Sequence, residues 1–366
     1  MKGIVDTTLR EGEQTAYVYF SIDDKLSIIR LLDKTGVEEI EAGIAMGDSD
    51  IKEICCLAKK EGCRAELSLW SRCLKKDIEE SLVCFPDRLN LSISVSDIQI
   101  KNKIRKNRQW VLEKVKETIS FAKKRTGIYL SLGLEDASRA DFKFIKDVCA
   151  VAEDEGVDRI RFSDTLGVLD PVSVVDLVKK LKKFVHVDLG VHMHNDFGMA
   201  TANSVSAITA GADFVDSSVN GLGERAGITL TEEVVAFMAK IKNKKYNLKY
   251  LAMLSDYVGS ASGISVSSKK PVVGSDIFTC ESGIHIDGLL KNPLNYELYN
   301  PCEVGLERKF LIGKKTGKNA LKHKLNTLGV VIKPESMGFL LEKLKKESGR
   351  LMKNFSDEEL LTVIKS

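Results

Sequence analysis

The amino-acid sequence predicts a closed (β/α)8 barrel, the TIM-barrel class, followed by a C-terminal, mostly helical appendage. Three observations lead there. Short runs rich in β-branched residues alternate with longer amphipathic stretches, the pattern of parallel strands joined by crossover helices. The alternation occurs eight times before residue 220. The same units could also build an open doubly wound sheet, but no GxGxxG follows the first run to support one.

The eight runs are 3–8, 37–43, 64–70, 89–95, 128–134, 158–163, 187–194 and 212–219. Helices are expected over 23–35, 51–61, 109–124, 141–155, 171–184 and 199–210. Glycine closes several of them. EGC (61–63), EGV (155–157) and AGA (210–212) set Gly just ahead of a strand, where it caps the preceding helix. Asp170 before Pro171 reads as an N-cap followed by a residue whose fixed φ suits a first turn.

After residue 245 the alternation stops. Residues 264–330 are irregular, and four of the six prolines fall after 270. A closing helical stretch is expected over 334–364, its EKLKKESGR run read as a solvated face. The expected division is therefore a catalytic barrel over 1–262 and an appendage over 263–366. A chain of 366 residues suits a barrel of ~250 residues plus such an addition.

Composition narrows the function classes. The chain is 43% hydrophobic and 29% charged, with a net charge of +3 from 55 basic and 52 acidic residues. That balance offers no general electrostatic reason to bind nucleic acid or a membrane, yet permits a local basic patch for an anionic small-molecule substrate. No apolar run approaches the ~20 residues that span a bilayer. The first residues, MKGIVDTTLREGEQ, lack the apolar core of a secretion signal, and eight cysteines show no CxxC spacing. Reduced thiols and a cytoplasmic location are expected.

The sharpest constellation is His192-Met193-His194. Residues two apart on a strand share a face, so both imidazoles would meet at the C-terminal mouth of the barrel, where active sites of this fold lie. They could bind a divalent cation or be a pair of loop histidines. Asn195-Asp196 could orient the rings. Strands one and seven are separated only by strand eight, so Glu11, in DTTLREGEQ (6–14), could supply an oxygen donor, with Arg10 beside it facing an oxyanion. A helix-capping loop is the alternative reading of that acidic segment.

Three ordered segments, DTTLREGEQ (6–14), HMHNDFGMATAN (192–203) and NGLGERAG (220–227), resemble the acetyl-CoA-dependent 2-oxo acid condensing enzymes, the family of isopropylmalate, citramalate and homocitrate synthases. SGIHIDG (282–288), NPLNYE (292–297) and GKKTGK (313–318) extend the resemblance over almost the whole chain. It implies that Glu11, His192 and His194 hold one divalent metal ion (zinc, manganese, magnesium or iron) and that Arg10 faces the enolate of acetyl-CoA. It implies substrate contacts for Gln14 and for Thr165 in FSDTLG. Glu135, His285 and Tyr296 match the family's acid/base cluster. In relatives the segment with the last two reaches a partner's active site, which implies a homodimer. A lyase of the same metal-barrel superfamily would share the first and seventh strand motifs but not this appendage.

Within the family, Glu11 in REGEQ, Ile228 in GERAGIT and the length favour homocitrate synthases, which condense acetyl-CoA with 2-oxoglutarate, over isopropylmalate and citramalate synthases. Trp70-Ser71-Arg72, SLGLED (131–136) and VSDIQIKNKI (95–104) resemble the nitrogen-fixation type rather than the lysine-pathway type. The group meeting the distal carboxylate of 2-oxoglutarate is then left open. Arg72 is the candidate, against an ordinary loop ion pair.

Overall fold

A computed structural model describes residues 1–365. The chain forms two compact units, Met1–Val266 and the part from Ser267 onward, so the division falls in the loop beyond Ser262 and not directly after residue 262.

In the first unit eight parallel strands close a barrel in sequence order. They are β1 (Gly3–Asp6), β2 (Glu39–Glu41), β3 (Glu66–Arg72), β4 (Arg88–Ser94), β5 (Tyr129–Glu135), β6 (Arg159–Asp164), β7 (Asp188–Met193) and β8 (Phe214–Ser217). Pairing of β8 with β1, from Gly3 opposite Phe214 to Asp6 opposite Ser217, shuts the ring. Every expected run overlaps a strand.

The surrounding helices are α1 (Ile22–Thr35), α2 (Asp50–Lys60), α3 (Lys75–Leu82), α4 (Asp97–Asn102), α5 (Arg108–Thr126), α6 (Phe142–Asp154), α7 (Pro171–Leu181), α8 (Ala200–Ala210), α9 (Thr231–Ile241) and α10 (Leu251–Ser262). Asp170 caps α7 by accepting from the amides of Val172 and Ser173, with Pro171 in the first turn. Gly211 ends α8 at φ 113°, a conformation that costs a side-chain-bearing residue but not glycine. Helices α3, α4, α9 and α10 were not among the expected ones. α3 and α4 are too short and polar to display a helical period.

Strand residues alternate between two environments. Ile40, Leu67, Leu89, Leu132, Ile160 and Val191 are fully buried and apolar. Between them, Glu39, Glu41, Asn90, Arg159 and Arg161 are also buried, and their hydrogen bonds cross the barrel. The interior is therefore charged. Its lower layer is saturated: Arg159 gives Nη1 and Nη2 to Glu39 at 2.9 and 3.0 Å, Nη2 also to Asn90 at 2.9 Å, and Nε to Ser131 at 3.2 Å. Arg88 adds a further bond to Glu39 at 2.9 Å. Unpaired, such charges would cost several kcal/mol each. Here each has partners.

The second unit holds α11 (Gly283–Lys291), α12 (Lys318–Thr327), α13 (Met337–Leu351), α14 (Asp357–Lys365) and a parallel strand pair, β9 (Thr279–Cys280) with β10 (Lys309–Phe310). The closing stretch is two helices, not one. α13 ends at Met352, at φ 53°, and the chain turns so that the Phe355 amide bonds the Ile312 carbonyl. Phe355 and Leu360 thereby join a buried cluster with Leu321, Leu325, Leu340 and Leu344. Burying two large apolar side chains outweighs the helical continuity that the Lys/Glu pattern suggested. Among the described residues no helix is long and apolar enough to cross a membrane.

Candidate active site

β1 stops at Asp6 because the Thr7 carbonyl accepts the amides of Arg10, Glu11 and Gly12 at 3.0, 2.8 and 3.1 Å. This tight turn folds Arg10 and Glu11 into the barrel mouth. His192 lies on β7, His194 follows its end, and β8 is the single strand between β7 and β1. Ligand atoms of Glu11, His192 and His194 all come within 4.8 Å of one another, and all three residues are buried. The two Nε2 atoms are 3.3 Å apart, and His194 Nε2 is 3.9 Å from Glu11 Oε1.

The donor chemistry fits a divalent cation. His192 Nδ1 meets Asp216 Oδ2 at 3.0 Å, which orients the ring with Nε2 toward His194. Burial, reinforced by His192, pushes His194 down to about 3, so its ring is neutral. Burial alone would raise Glu11, but Arg10 and the two histidines outweigh it and hold the carboxyl at about 2. Two neutral imidazoles and one carboxylate are ligands for zinc, manganese or iron, and open positions suit magnesium too. Ligand nitrogens ~2.0–2.1 Å from a tetrahedral ion stand about 3.3 Å apart, the spacing found here.

The third motif supports the first. In the loop after β8, Gly223 packs so closely on Glu11 that a Cβ would stand 3.3 Å from Glu11 Cγ. The Glu224 amide reaches Glu11 Oε1 at 3.4 Å. Gly227, at φ 83°, passes the Gly221 carbonyl at a distance that leaves no room for a side chain. Arg225 pairs with Asp196 and also donates to the Thr165 carbonyl, tying the loops after β8, β7 and β6 together.

A cavity of about 220 Å³ opens over these donors. Of the residues expected to contact substrate or reacting groups, Arg10, Gln14, Glu135 and Thr165 line it with the metal donors. Arg10 gives Nε to Glu41 at 2.5 Å and Nη1 to Glu11 and, at 3.4 Å, to Gln14. Burial opposes its charge, but Glu41 and Glu11 raise its pKa further. Glu135 accepts from Lys103 and from Ser94. Thr165 Oγ1 accepts the Asp136 amide at 2.8 Å.

Arg72 behaves differently. It chelates Asp77 on α3 through Nε at 2.6 Å and Nη2 at 3.1 Å, its side chain is half exposed, and it is not among the residues lining the cavity. The loop ion pair is the reading this geometry favours. Asn195 and Asp196 also depart from expectation, since neither touches an imidazole. Asn195 Oδ1 accepts the Ala200 amide, and Asp196 pairs with Arg225. The ring of His192 is oriented by Asp216 on β8 instead.

His285 and Tyr296 belong to the second unit. Their rings meet edge to face, centroids 4.6 Å apart. Gly288, one helical turn past His285, makes this possible, because a Cβ there would fall 2.5 Å from the Tyr296 ring. Both residues are exposed on that unit.

Asp216, Arg161, Lys103 and Glu41 were not singled out in the sequence. The signal for three of them is charge inside apolar runs: at a spacing of two for Glu39/Glu41 in EEIEAG and Arg159/Arg161 in RIRFSD, and singly for Asp216 in FVDSS. Such charges must face a polar barrel interior.

An eight-stranded parallel barrel with donors for one divalent cation at the C-terminal ends of its strands defines a metal-assisted enzyme. Residues 2–258 match the HMGL-like family and residues 272–350 the homocitrate synthase post-HMGL domain-like family. The chain belongs to the HMGL-like family, and with it to the condensing enzymes its motifs resemble. It is 44% identical to 2-isopropylmalate synthase 2 of Caldanaerobacter subterraneus, over 98% of this chain and 94% of that one. It is 41% identical to homocitrate synthase 1 of Nostoc, over 99% and 96%, and 40% identical to (R)-citramalate synthase of Methanocaldococcus jannaschii, over 100% and 74%. Among solved structures, the HMG-CoA lyase of Bacillus subtilis superposes with a TM-score of 0.65 at 20% identity, covering 72% of this chain and 94% of the lyase. That likeness is one of fold.

Proposed function

We propose that the chain is a homocitrate synthase of the nitrogen-fixation type, condensing acetyl-CoA with 2-oxoglutarate and hydrolysing the resulting thioester to homocitrate and CoA. One observation supports the choice of oxo acid above others. Among the described residues, no aliphatic side chain lines the cavity, and Trp70 is its one apolar surface. The remaining walls are Ser92, Ser163, Thr165, Gln14, Lys103, Arg161, the carboxylates Glu135 and Glu224, Arg10 and the metal donors. A branched aliphatic substituent would find nothing to bury against, whereas a second carboxylate would find hydroxyls and cations.

Glu11, His192 and His194 would hold the cation, which when bound would polarise the oxo acid's ketone and offset the alkoxide charge that develops. Arg10, locked by Glu41 and Glu11 through Nε and Nη1, keeps Nη2 as a donor toward the acetyl-CoA enolate. Thr165 and Gln14 orient the oxo acid. His285, with Tyr296 beside it and Glu135 as the acidic member of the cluster, removes the acetyl methyl proton. In this reading the pair comes from a partner copy, in a homodimer of a cytoplasmic enzyme.

CoA release with acetyl-CoA and a panel of 2-oxo acids tests the reaction. Turnover with 2-oxoglutarate and a product of homocitrate mass are expected. Turnover with 2-oxoisovalerate or pyruvate alone would make the chain an isopropylmalate or citramalate synthase, a reading that the 44% identical relative keeps in play. Cleavage of a hydroxyacyl-CoA without acetyl-CoA consumption would make it a lyase. Mixing inactive His194→Ala and His285→Ala chains tests the shared site: activity should return in the mixture and in neither variant alone.

A further inference from the structure

Two arginines stand two residues apart on β6 and have opposite fates. Arg159 has partners for Nε, Nη1 and Nη2. Arg161, only 3% exposed, engages Nη1 alone, with Asp216 at 2.9 Å and Glu41 at 3.3 Å. Its Nε is buried and has no hydrogen-bond partner. A buried charged group with an orphaned donor costs free energy unless something else satisfies it. Arg161 also lines the cavity, which Arg159 does not.

Gly133 on β5 borders that donor. A Cβ there would lie 3.4 Å from both Nε and Nη2, so a side chain at this position would press on the guanidinium. Each cation of the cavity has a carboxylate partner, Arg10 in Glu41 and Glu11, Lys103 in Glu135 and Arg161 in Asp216 and Glu41, but of these three only Arg161 has a buried donor with no partner. In the strand register Ser163 is opposite His192 while Arg161 is opposite Gly190, so Arg161 sits two residues, about 6.6 Å, deeper in the barrel than the metal donors. A ligand arm pointing inward from the cation reaches it.

We infer that Arg161 is a specificity-determining residue, whose guanidinium, bordered by Gly133 and lining the cavity, receives the far carboxylate of a dicarboxylic 2-oxo acid. The inference rests on the proposed condensation and goes beyond it by assigning the group that separates a dicarboxylic from a monocarboxylic substrate. Asp216 bonds Arg161 on one oxygen and, through the same oxygen, the His192 ring. The recognition arm and the metal ligand are thus braced by a common carboxylate.

The test compares 2-oxoglutarate with 2-oxopentanoate, which carries a methyl group in place of the far carboxylate. Kinetics with each, calorimetric binding of each to metal-loaded protein, and Mn²⁺ affinity without substrate are measured for the wild type, Arg161→Gln and Gly133→Ala. Arg161→Gln should raise KM for 2-oxoglutarate about a hundredfold and weaken its calorimetric binding equally, leaving KM for 2-oxopentanoate within a few-fold. Gly133→Ala, which keeps the Arg161–Asp216 contact, should move the same ratio about tenfold at wild-type Mn²⁺ affinity. This second variant decides the matter if Arg161→Gln fails to fold. An unchanged preference in both variants would overturn the assignment, as would equal losses for both substrates together with lost Mn²⁺ binding. A wild type that itself prefers the monocarboxylic acid would overturn the substrate reading first, and that result needs no variant to be seen.

Discussion

The barrel interior contains two charged layers, each with an arginine of β6 and a glutamate of β2. In the lower one, Arg159 and Glu39 meet through two bonds and are flanked by Asn90, Ser131 and Arg88. In the upper one, Arg161 leaves Nε unpaired, His194 leaves Nδ1 unpaired, and two imidazole Nε2 atoms face each other at 3.3 Å. The lower layer needs nothing from outside. The upper layer keeps unpaired polar atoms beside the proposed cation and anion sites. What separates the two arginines of β6 in this account is therefore the state of their hydrogen bonds, not their type or strand.

The contrast predicts opposite kinds of damage. Arg159→Met strands Glu39 as a buried charge and should cost about 3–5 kcal/mol in urea denaturation, with turnover lost only as the barrel unfolds. A stable Arg159→Met barrel would show that the lower layer is less tightly coupled than its bonds indicate.

Asp6 lies outside both layers, with the Thr231 hydroxyl and the Thr8 hydroxyl and amide around it in place of a cation. Burial raises its carboxyl from 3.8 to about 6, against the pull of those hydrogen bonds. The folded protein thus binds more protons than the unfolded chain between these values. The Asp6 contribution is fully present below pH 3.8 and lost as pH rises through about 6, a swing of about 3 kcal/mol. Asp6→Asn should flatten that part of the stability-versus-pH curve, and an unaltered curve would contradict the assignment.

Asp216→Asn should weaken metal binding about 10–100-fold in chelator competition, because it loosens the His192 tautomer and ring orientation while the fold persists. An unaltered affinity would remove Asp216 from the upper layer's support. The smallest effect is expected at Arg72→Ala. Its exposed pair with Asp77 should be worth less than about 1 kcal/mol, and kcat/KM should stay within about twofold. A large loss for 2-oxoglutarate alone would return Arg72 to the substrate.

The barrel and its metal donors were legible in the sequence because both rest on local patterns. The strand period, the Gly caps and the H-x-H spacing are properties of a few neighbouring residues. The turn that swings Glu11 toward β7 depends on three amides sharing the Thr7 carbonyl, yet the order of strands alone put Glu11 near the histidines. What the sequence hid were pairings across the barrel. Asp216 with His192, Arg161 with Asp216 and Arg159 with Glu39 join residues 24, 55 and 120 positions apart. The Arg72–Asp77 pair was hidden for a related reason: an arginine at a strand end looks free until the following helix supplies Asp77. The break at Met352 was hidden because exposed Lys and Glu satisfy one long helix as well as two short ones.

The account stands on Glu11, His192 and His194 sharing one cation. Protein stripped with chelator, reloaded with zinc or manganese and desalted should contain one tightly held ion per chain by elemental analysis. The His194→Ala chain, folded by circular dichroism, should contain none. Full metal content in that variant would contradict the shared site.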